Sequence, residues 1–261
     1  MPSRIVNITD CIDIAGNELR ASLLNIVGND PNILIEPPVP INPAFSAINA
    51  NFAVRLMADA YPPGTILFTT INAEKVRPPN VLGRTNEKEL IFLGRNLGSF
   101  DWITRDFGCR ELFDLTQHYT GEFVSFAGKF ITAPIAAKAA KGVPLSDLGN
   151  PIPVDSIFRL KLATGTIVHV DNFGMMKFTG ELEGAGEGDR YQVTINESTV
   201  EAVYGKRLMS FETGTWVLFP GSSFGLFELG KVRELGAKFV EAKVGDMLTW
   251  KRVGGPKQES K

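Results

Sequence analysis

The segment GVPLSDLGNPIPVD, residues 142–155, divides the chain into two stretches of different texture. Its prolines, Pro144, Pro151 and Pro153, carry no N–H for a ladder and interrupt any helical period, so the segment reads as an interdomain crossing. Before it, strand-like and helical runs alternate. RIVNIT (4–9) precedes a helix with the apolar stripe Leu19, Leu23, Ile26 and Val27, and Ile33 to Glu36 is a short strand stopped by Pro37 and Pro38. Phe45 to Tyr61 repeats Phe45, Ile48, Phe52, Leu56 and Met57 at helical spacing, and Thr65 to Ile71 (TILFTTI) reads as a buried strand running out into Asn72. Lys88 to Leu93 reads as a further strand and Phe100 to Phe107 as a short helix. Ala133 to Lys141 is a helix with Pro134 in its first turn and Gly142 at its C-cap. This alternation predicts an α/β N-terminal domain with a mainly parallel sheet. Beyond Ser156 the runs IFRLKL, TIVHV, MKFTGEL, RYQVTI, VEAVY, TWVLF, LFELG and MLTWK predict a smaller all-β domain, antiparallel and barrel-like, with one short helix between Val232 and Val240. The expected domains are 1–150 and 157–261, with 151–156 as linker.

Composition narrows the function classes. A net charge of −2 over 261 residues, with both signs interspersed, gives no electrostatic footprint for nucleic acid or an anionic membrane. The start MPSRIVNITD lacks the apolar core of a signal peptide, and no apolar run approaches the ~20 residues needed to cross a bilayer, so a cytoplasmic location is expected. The two cysteines, Cys11 and Cys109, form no metal spacing or disulfide framework and read as buried free thiols. With His118 and His169 as the sole histidines, neither a metal site nor Ser-His-Asp catalysis is expected.

Asp10 is the first candidate for chemistry. It ends the opening strand, and side chains just past the carboxyl ends of parallel strands stand in the crevice where the loops diverge. On position alone a second role, capping the helix that follows, fits Asp10 better.

Four segments together resemble a known family. ITDCIDIAGNELRASLL resembles the opening strand, Asp and helix of the adenosine-forming S-adenosylmethionine hydrolases, relatives of the fluorinase and chlorinase halogenases. FAGKFITAPIAAKAAKGVPLSDLG (126–149) resembles that family's F-H-G-R-D-x-F-A-P segment with its helix and G-x-P-L-x-x-L-G exit. In the second half, VDNFGMM (170–176) resembles its D-x-F-G-N turn, and SSFGLFELG (222–230) its N-S-x-G-x-L-E-I-A strand. The resemblance implies a homotrimer whose site, between the α/β domain of one subunit and the β domain of its neighbour, takes S-adenosylmethionine as substrate, with no separate cofactor. A nucleophile attacks the ribose 5′ carbon and methionine leaves as a neutral thioether. By position, Asp10 matches the grip on the ribose hydroxyls, Asp171 a contact to the methionine amine, Phe173 an adenine-stacking ring and Ser223 a donor to the methionine carboxylate. Phe173 also fits a plain core role, Ser223 a turn, and Asp171 the local needs of its own FG turn.

The departures are as informative. Family hydrolases position the attacking water with an Asp, an Arg and a His, and this chain places Asn72, Arg77 and Ala127 there, with Arg84 as the alternative to Arg77. Asn72 can orient water but cannot take its proton, and Ala127 can do neither. Met175 replaces the family's adenine-contacting Asn, and Lys129 and Phe130 replace its Arg-Asp pair. The expectation is an S-adenosylmethionine hydrolase. Its alternatives are a protein that binds the nucleoside without turnover, or an enzyme that accepts a halide in place of water.

Overall fold

The computed structural model describes residues 3–71, 78–119 and 124–255. The chain forms two compact units, 1–160 and 161–261.

In the first unit the element order is β1 (Ser3–Thr9), α1 (Ile14–Val27), β2 (Ile33–Ile35), β3 (Val39–Pro40), α2 (Ala47–Ala60), β4 (Ile66–Thr70), β5 (Asn80–Arg84), β6 (Ile91–Arg95), α3 (Asp101–Asp106), β7 (Glu111–Asp114), α4 (Ala133–Ala140), α5 (Leu145–Leu148) and β8 (Asn150–Pro151). A single π turn, Gly128–Thr132, leads into α4. The strands lie in the order β2-β1-β4-β6-β5-β7-β8, with β3 paired to the end of β1. Both faces of the sheet are covered. Ile5, Phe68, Leu82 and Leu93 pack with Leu19 and Leu23 of α1 and Ala136 of α4 on one side. Val6, Ile8, Leu67 and Phe92 pack with Val54 of α2 and Ile103 of α3 on the other. Each such side chain, fully withdrawn from water, contributes about 1.5–3 kcal/mol.

The sheet is mixed, which corrects the expectation of a mainly parallel one. β1, β2, β4 and β6 run parallel, but β5 is antiparallel to both β6 and β7, and β7 to β8. The cause is the connection between β5 and β6, where residues 85–90 turn directly back, with Thr85 N–H donating to the Leu90 carbonyl at 2.9 Å. A turn that tight joins antiparallel strands, because a parallel pair needs a crossover of a dozen residues or more. The prolines of 151–156 lie within this unit. Pro151 pairs with Phe113, Ile152 N–H donates to the Leu112 carbonyl at 2.9 Å, and Ile157 is buried among the residues on the α2 side.

Asp101 ties the end of the unit down. Its side chain is almost wholly buried, and Oδ1 accepts from Arg105 Nε at 2.7 Å and Arg159 Nη1 at 3.1 Å, while Oδ2 accepts from the Leu160 N–H at 3.2 Å. Gly98, at φ +99°, leaves room for Leu160, whose Cδ2 would sit 2.6 Å from a Cβ there.

The second unit contains β9 (Ile167–Val170), β10 (Met176–Phe178), β11 (Arg190–Ile195), β12 (Ser198–Tyr204), β13 (Trp216–Pro220), β14 (Phe227–Lys231), the short helix α6 (Gly236–Phe239) and β15 (Leu248–Gly254). These strands form one sheet ordered β15-β11-β12-β13-β14-β10-β9. It too is mixed, since β12 and β13 pair in parallel from Ala202↔Trp216 to Tyr204↔Leu218, against the expected antiparallel arrangement. The chain between them runs through a 3-10 turn at Leu208–Ser210, which gives the length a direct hairpin lacks and brings β13 back in the same direction. Phe178, Val193, Leu218, Leu229 and Leu248 fill its core with Ala237 of α6. Lys177 and Glu228 form an ion pair buried within the sheet.

Removing the Asp101 carboxylate leaves the Leu160 N–H without its acceptor and opens a gap at a buried position, while Arg105 and Arg159 are exposed enough to turn to water and Arg159 keeps its bonds to the Asp101 carbonyl and Thr104. We expect Asp101→Ala to lower the unfolding free energy by about 2 kcal/mol, read as a lower urea midpoint.

Candidate functional site

The carboxyl ends of β1, β4 and β6 open into a cleft of about 580 Å3. The order of the sheet explains its place. From β1 the chain crosses through α1 to β2 on one side, and from β3 it crosses through α2 to β4 on the other, so the connections diverge above the β1–β4 boundary. A crevice at such a reversal is where open α/β sheets hold ligands.

Asp10 lines this cleft. It is not the cap of α1. Asp13 fills that role, its Oδ1 accepting from the Ala15 N–H at 3.0 Å, and the two residues between leave Asp10 over the sheet. Asp10 Oδ2 instead accepts from the Phe45 N–H at 3.0 Å, while Oδ1 has, among the described residues, only the Cys11 thiol at 3.9 Å. Burial, ahead of the neighbouring carboxylates, pushes the Cys11 thiol above its usual pKa, so it stays protonated at neutral pH. Ala127 lines the same cleft, followed by Gly128 at the start of the turn into α4. Gly128 is required there: a Cβ would stand 2.5 Å from Thr70 Cγ2. Asn72 and Arg77 lie outside the described residues. Arg84, the alternative to Arg77, is on β5 paired with Glu111 at 2.8 Å and is absent from the cleft wall.

Sequence reasoning missed the residues at the β5–β6 side of this cleft. Asn80 and Arg95 face one another across β5 and β6, and the Asn80 amide donates to the Tyr119 hydroxyl. Tyr119 also bonds to Thr132, and burial raises its pKa against the opposing effects of Thr132, Arg95 and Asn80. Asn80, Arg95, Tyr119 and Thr132 all line the cleft. Arg95 was open to the rule that singled out Asp10, since it follows the buried strand run IFLG, but an end placed at Leu93 stops short of it.

In the second unit, Phe173 and Met175 line a separate apolar hollow of about 410 Å3 together with Leu208, Met209 and Leu235. Phe173 is 62% exposed. Asp171 organises the turn that carries both, its Oδ1 accepting from the Phe173 and Met175 N–H groups at 2.9 Å each. The local role therefore accounts for that oxygen. Ser223 is buried in the loop between β13 and β14, its carbonyl accepting from the Leu226 N–H, and it does not line the hollow. His169 precedes this turn by two residues and faces Lys177 across β9 and β10. Burial first, and then Lys177, lowers its pKa to about 4, against the pull of Asp171. Among the described residues no three His, Cys, Asp or Glu side chains are grouped to hold a metal ion, and no helix is long and apolar enough to cross a membrane.

No family model matches the chain, and no curated protein matches it. Solved structures do. The chain is similar to the crystal structure of an uncharacterized conserved protein from Thermotoga maritima, with a TM-score of 0.80 at 19% identity over 95% of this chain and 100% of that one. It is similar also to a conserved hypothetical protein from Thermus thermophilus, with a TM-score of 0.74 at 21% identity over 96% of this chain and 100% of that one. At these identities the likeness is one of fold alone.

Two expected outcomes follow from the geometry. Asp13→Ala should cost about 1 kcal/mol in urea unfolding through the lost cap, while Asp10→Asn, outside the cap, should stay within about 0.5 kcal/mol of the parent. For His169, the unfolded chain takes up a proton near pH 6.5 and the folded chain only near pH 4. Stability should fall as pH drops through that window, by up to about 1.4 kcal/mol per pH unit, and stop falling on this account below it. A His169→Gln variant followed by urea midpoints from pH 7 to 4 should show a correspondingly flatter decline.

Proposed function

We propose that the chain binds S-adenosylmethionine and catalyses displacement at its ribose 5′ carbon by water, giving adenosine and methionine. The observation that carries the reading is Asp10, released from helix capping and held at the carboxyl end of β1 in the wall of the cleft. A carboxylate there can accept two adjacent ribose hydroxyls, the role that the resemblance assigns to it. The exposed ring of Phe173, on a turn stiffened by Asp171, supports the adenine end of the reading, and Met175 beside it stands where the family uses Asn. Ser223 and Asp171 keep their proposed contacts to the methionine carboxylate and amine. In this reading the second unit is the family's all-β, barrel-like domain. The working form is a cytoplasmic homotrimer in which each cleft is completed by the second unit of a neighbouring protomer.

The electrophile is already a sulfonium, so holding it in line and excluding bulk water supply much of the acceleration even without a strong base. Arg77 and Asn72 would orient the attacking water. A second reading, binding without turnover, is favoured by one feature: Ala127 lines the cleft where a base would be needed. Halide in place of water is the third, because an anion needs no proton removed.

Incubating the pure protein with S-adenosylmethionine, with and without chloride or bromide, and assaying adenosine, halogenated adenosine and methionine decides among the three. Asp10→Ala should weaken nucleoside binding by about 1.5 to 3 kcal/mol. Restoring the missing pair as Asn72→Asp with Ala127→His should raise adenosine formation at least about tenfold. Unchanged output from that double variant, with binding intact, would favour the binding protein.

A further inference from the structure

The loop between β3 and α2 holds Asp10 in place. It leaves the sheet at Ile41, whose N–H donates to the Thr9 carbonyl at 2.8 Å, and re-enters regular structure at Ser46, the N-cap of α2. Asn42, Pro43, Ala44 and Phe45 between them are all exposed, so no buried side chain of their own fixes the path of the loop. Ala44 and Phe45 line the cleft, and Phe45 gives its N–H to Asp10 Oδ2 at 3.0 Å. It does so at φ 66°, which a bulky side chain disfavours, so the loop needs a restraint that keeps it there.

Asn49 supplies that restraint. It is 1% exposed and stands in the first turn of α2, where its N–H donates to Ser46 Oγ at 3.1 Å and its Oδ1 accepts from the Asn42 N–H at 3.2 Å. A side-chain acceptor at this helix position ordinarily turns back to the cap residue. Here it reaches past the cap to the start of the loop. Ser46 caps the helix without help from that oxygen, so the Asn49 amide serves the loop rather than the helix. The two bonds tie both ends of the segment 42–46 to one residue of α2, and α2 is seated on the sheet through Ala50, Val54 and Ala58. A continuous line of contacts thus runs from the core through Asn49 and the loop to the Phe45 N–H and the Asp10 carboxylate.

We propose that Asn49 is a positioning residue for Asp10, holding the loop from which the Phe45 N–H sets the plane of the carboxylate. The inference deepens the reading of Asp10 as a grip on adjacent ribose hydroxyls and rests on that reading for its effect on ligand; its effect on the loop does not depend on it. Without the Asn49 acceptor, Phe45 relaxes from positive φ and its N–H leaves Oδ2. A pair of hydroxyls then meets a carboxylate that is no longer set, and binding has to supply the ordering that the loop supplied before.

Amide hydrogen exchange of the full chain without ligand, and calorimetric titration with adenosine, test this together. In the parent, the Phe45 N–H should exchange about tenfold more slowly than in Asp10→Ala, which lacks its acceptor. Asn49→Leu, close in size but without the acceptor, should lose that protection to the same degree while the amides of β1 and β4 keep theirs, and should weaken adenosine binding about three- to tenfold. Asn49→Asp keeps an acceptor oxygen, with a charge suited to the first turn of a helix, and should restore both. In the Asp10→Ala background, Asn49→Leu should change adenosine binding by less than about twofold, which a general loosening of the fold would not give. If Asn49→Leu fails to fold, Asn49→Ala carries the same comparison. Phe45 protection kept in the folded Asn49→Leu or Asn49→Ala variant, adenosine affinity kept there where Asp10→Ala loses it, or an equal further loss in the Asp10→Ala background would overturn the proposal. Should Asp10→Ala leave adenosine binding unchanged, the ribose reading fails, and the exchange of the Phe45 N–H alone decides for Asn49.

Discussion

The parallel pairing of β1 with β4 is the constraint on which the molecule depends. Its register runs from Ile5↔Ile66 to Thr9↔Thr70, with Ile5 turned to the α1 side and Val6 and Ile8 to the α2 side. A slip of one residue would turn every apolar side chain to the opposite face, so burial on both sides holds the pairing in place. The ladder is closed at its carboxyl end by Thr9, whose hydroxyl donates to the Thr70 carbonyl at 2.8 Å and accepts from the Cys11 N–H at 3.0 Å. That knot fixes where the strand stops, and so fixes Asp10 as the first side chain beyond it.

How much of this is written locally varies from element to element. Helix α2 is legible because Phe52 and its neighbours recur at helical spacing between Ser46, which caps it through the Asn49 N–H, and Pro62. Strand β4 is legible as an unbroken apolar run. Strand direction is not. NVLGR and ELFD are short runs whose neighbours are chosen by the tight return at 85–90 and by pairing across the sheet, and a buried run looks the same whichever way it points. In the second unit the same limit hides the parallel β12–β13 pair, which depends on the path taken through Leu208–Ser210.

The candidate site divides along the same line. Asp10 could be picked out because one position in one strand decides it, although its freedom from capping depends on Asp13 taking the N-cap. Asp171 could be given a local role because its partners, Phe173 and Met175, lie within four residues. Asn80, Arg95, Tyr119 and Thr132 come from β5, β6, a 3-10 turn and the π turn that leads into α4. No spacing connects them, and only the antiparallel β5–β6 register, itself invisible in the sequence, brings the first two face to face.

Asp10 is a carboxylate with one oxygen committed and one in reserve. Phe45 adopts φ 66°, a conformation that a bulky residue takes at a cost, and this turns its N–H toward Oδ2 while the residue stays 62% exposed. The backbone bond sets the plane of the carboxylate. At Oδ1 the only partner among the described residues is a protonated thiol at 3.9 Å, a weak donor at long range. A hydroxyl arriving there gains a charge-assisted hydrogen bond and displaces almost nothing, while Oδ2 keeps one lone pair beside the Phe45 N–H for a second, adjacent hydroxyl. The backbone bond thus presets the carboxylate for a pair of donors, and the strain at Phe45 is the cost of that preorganisation.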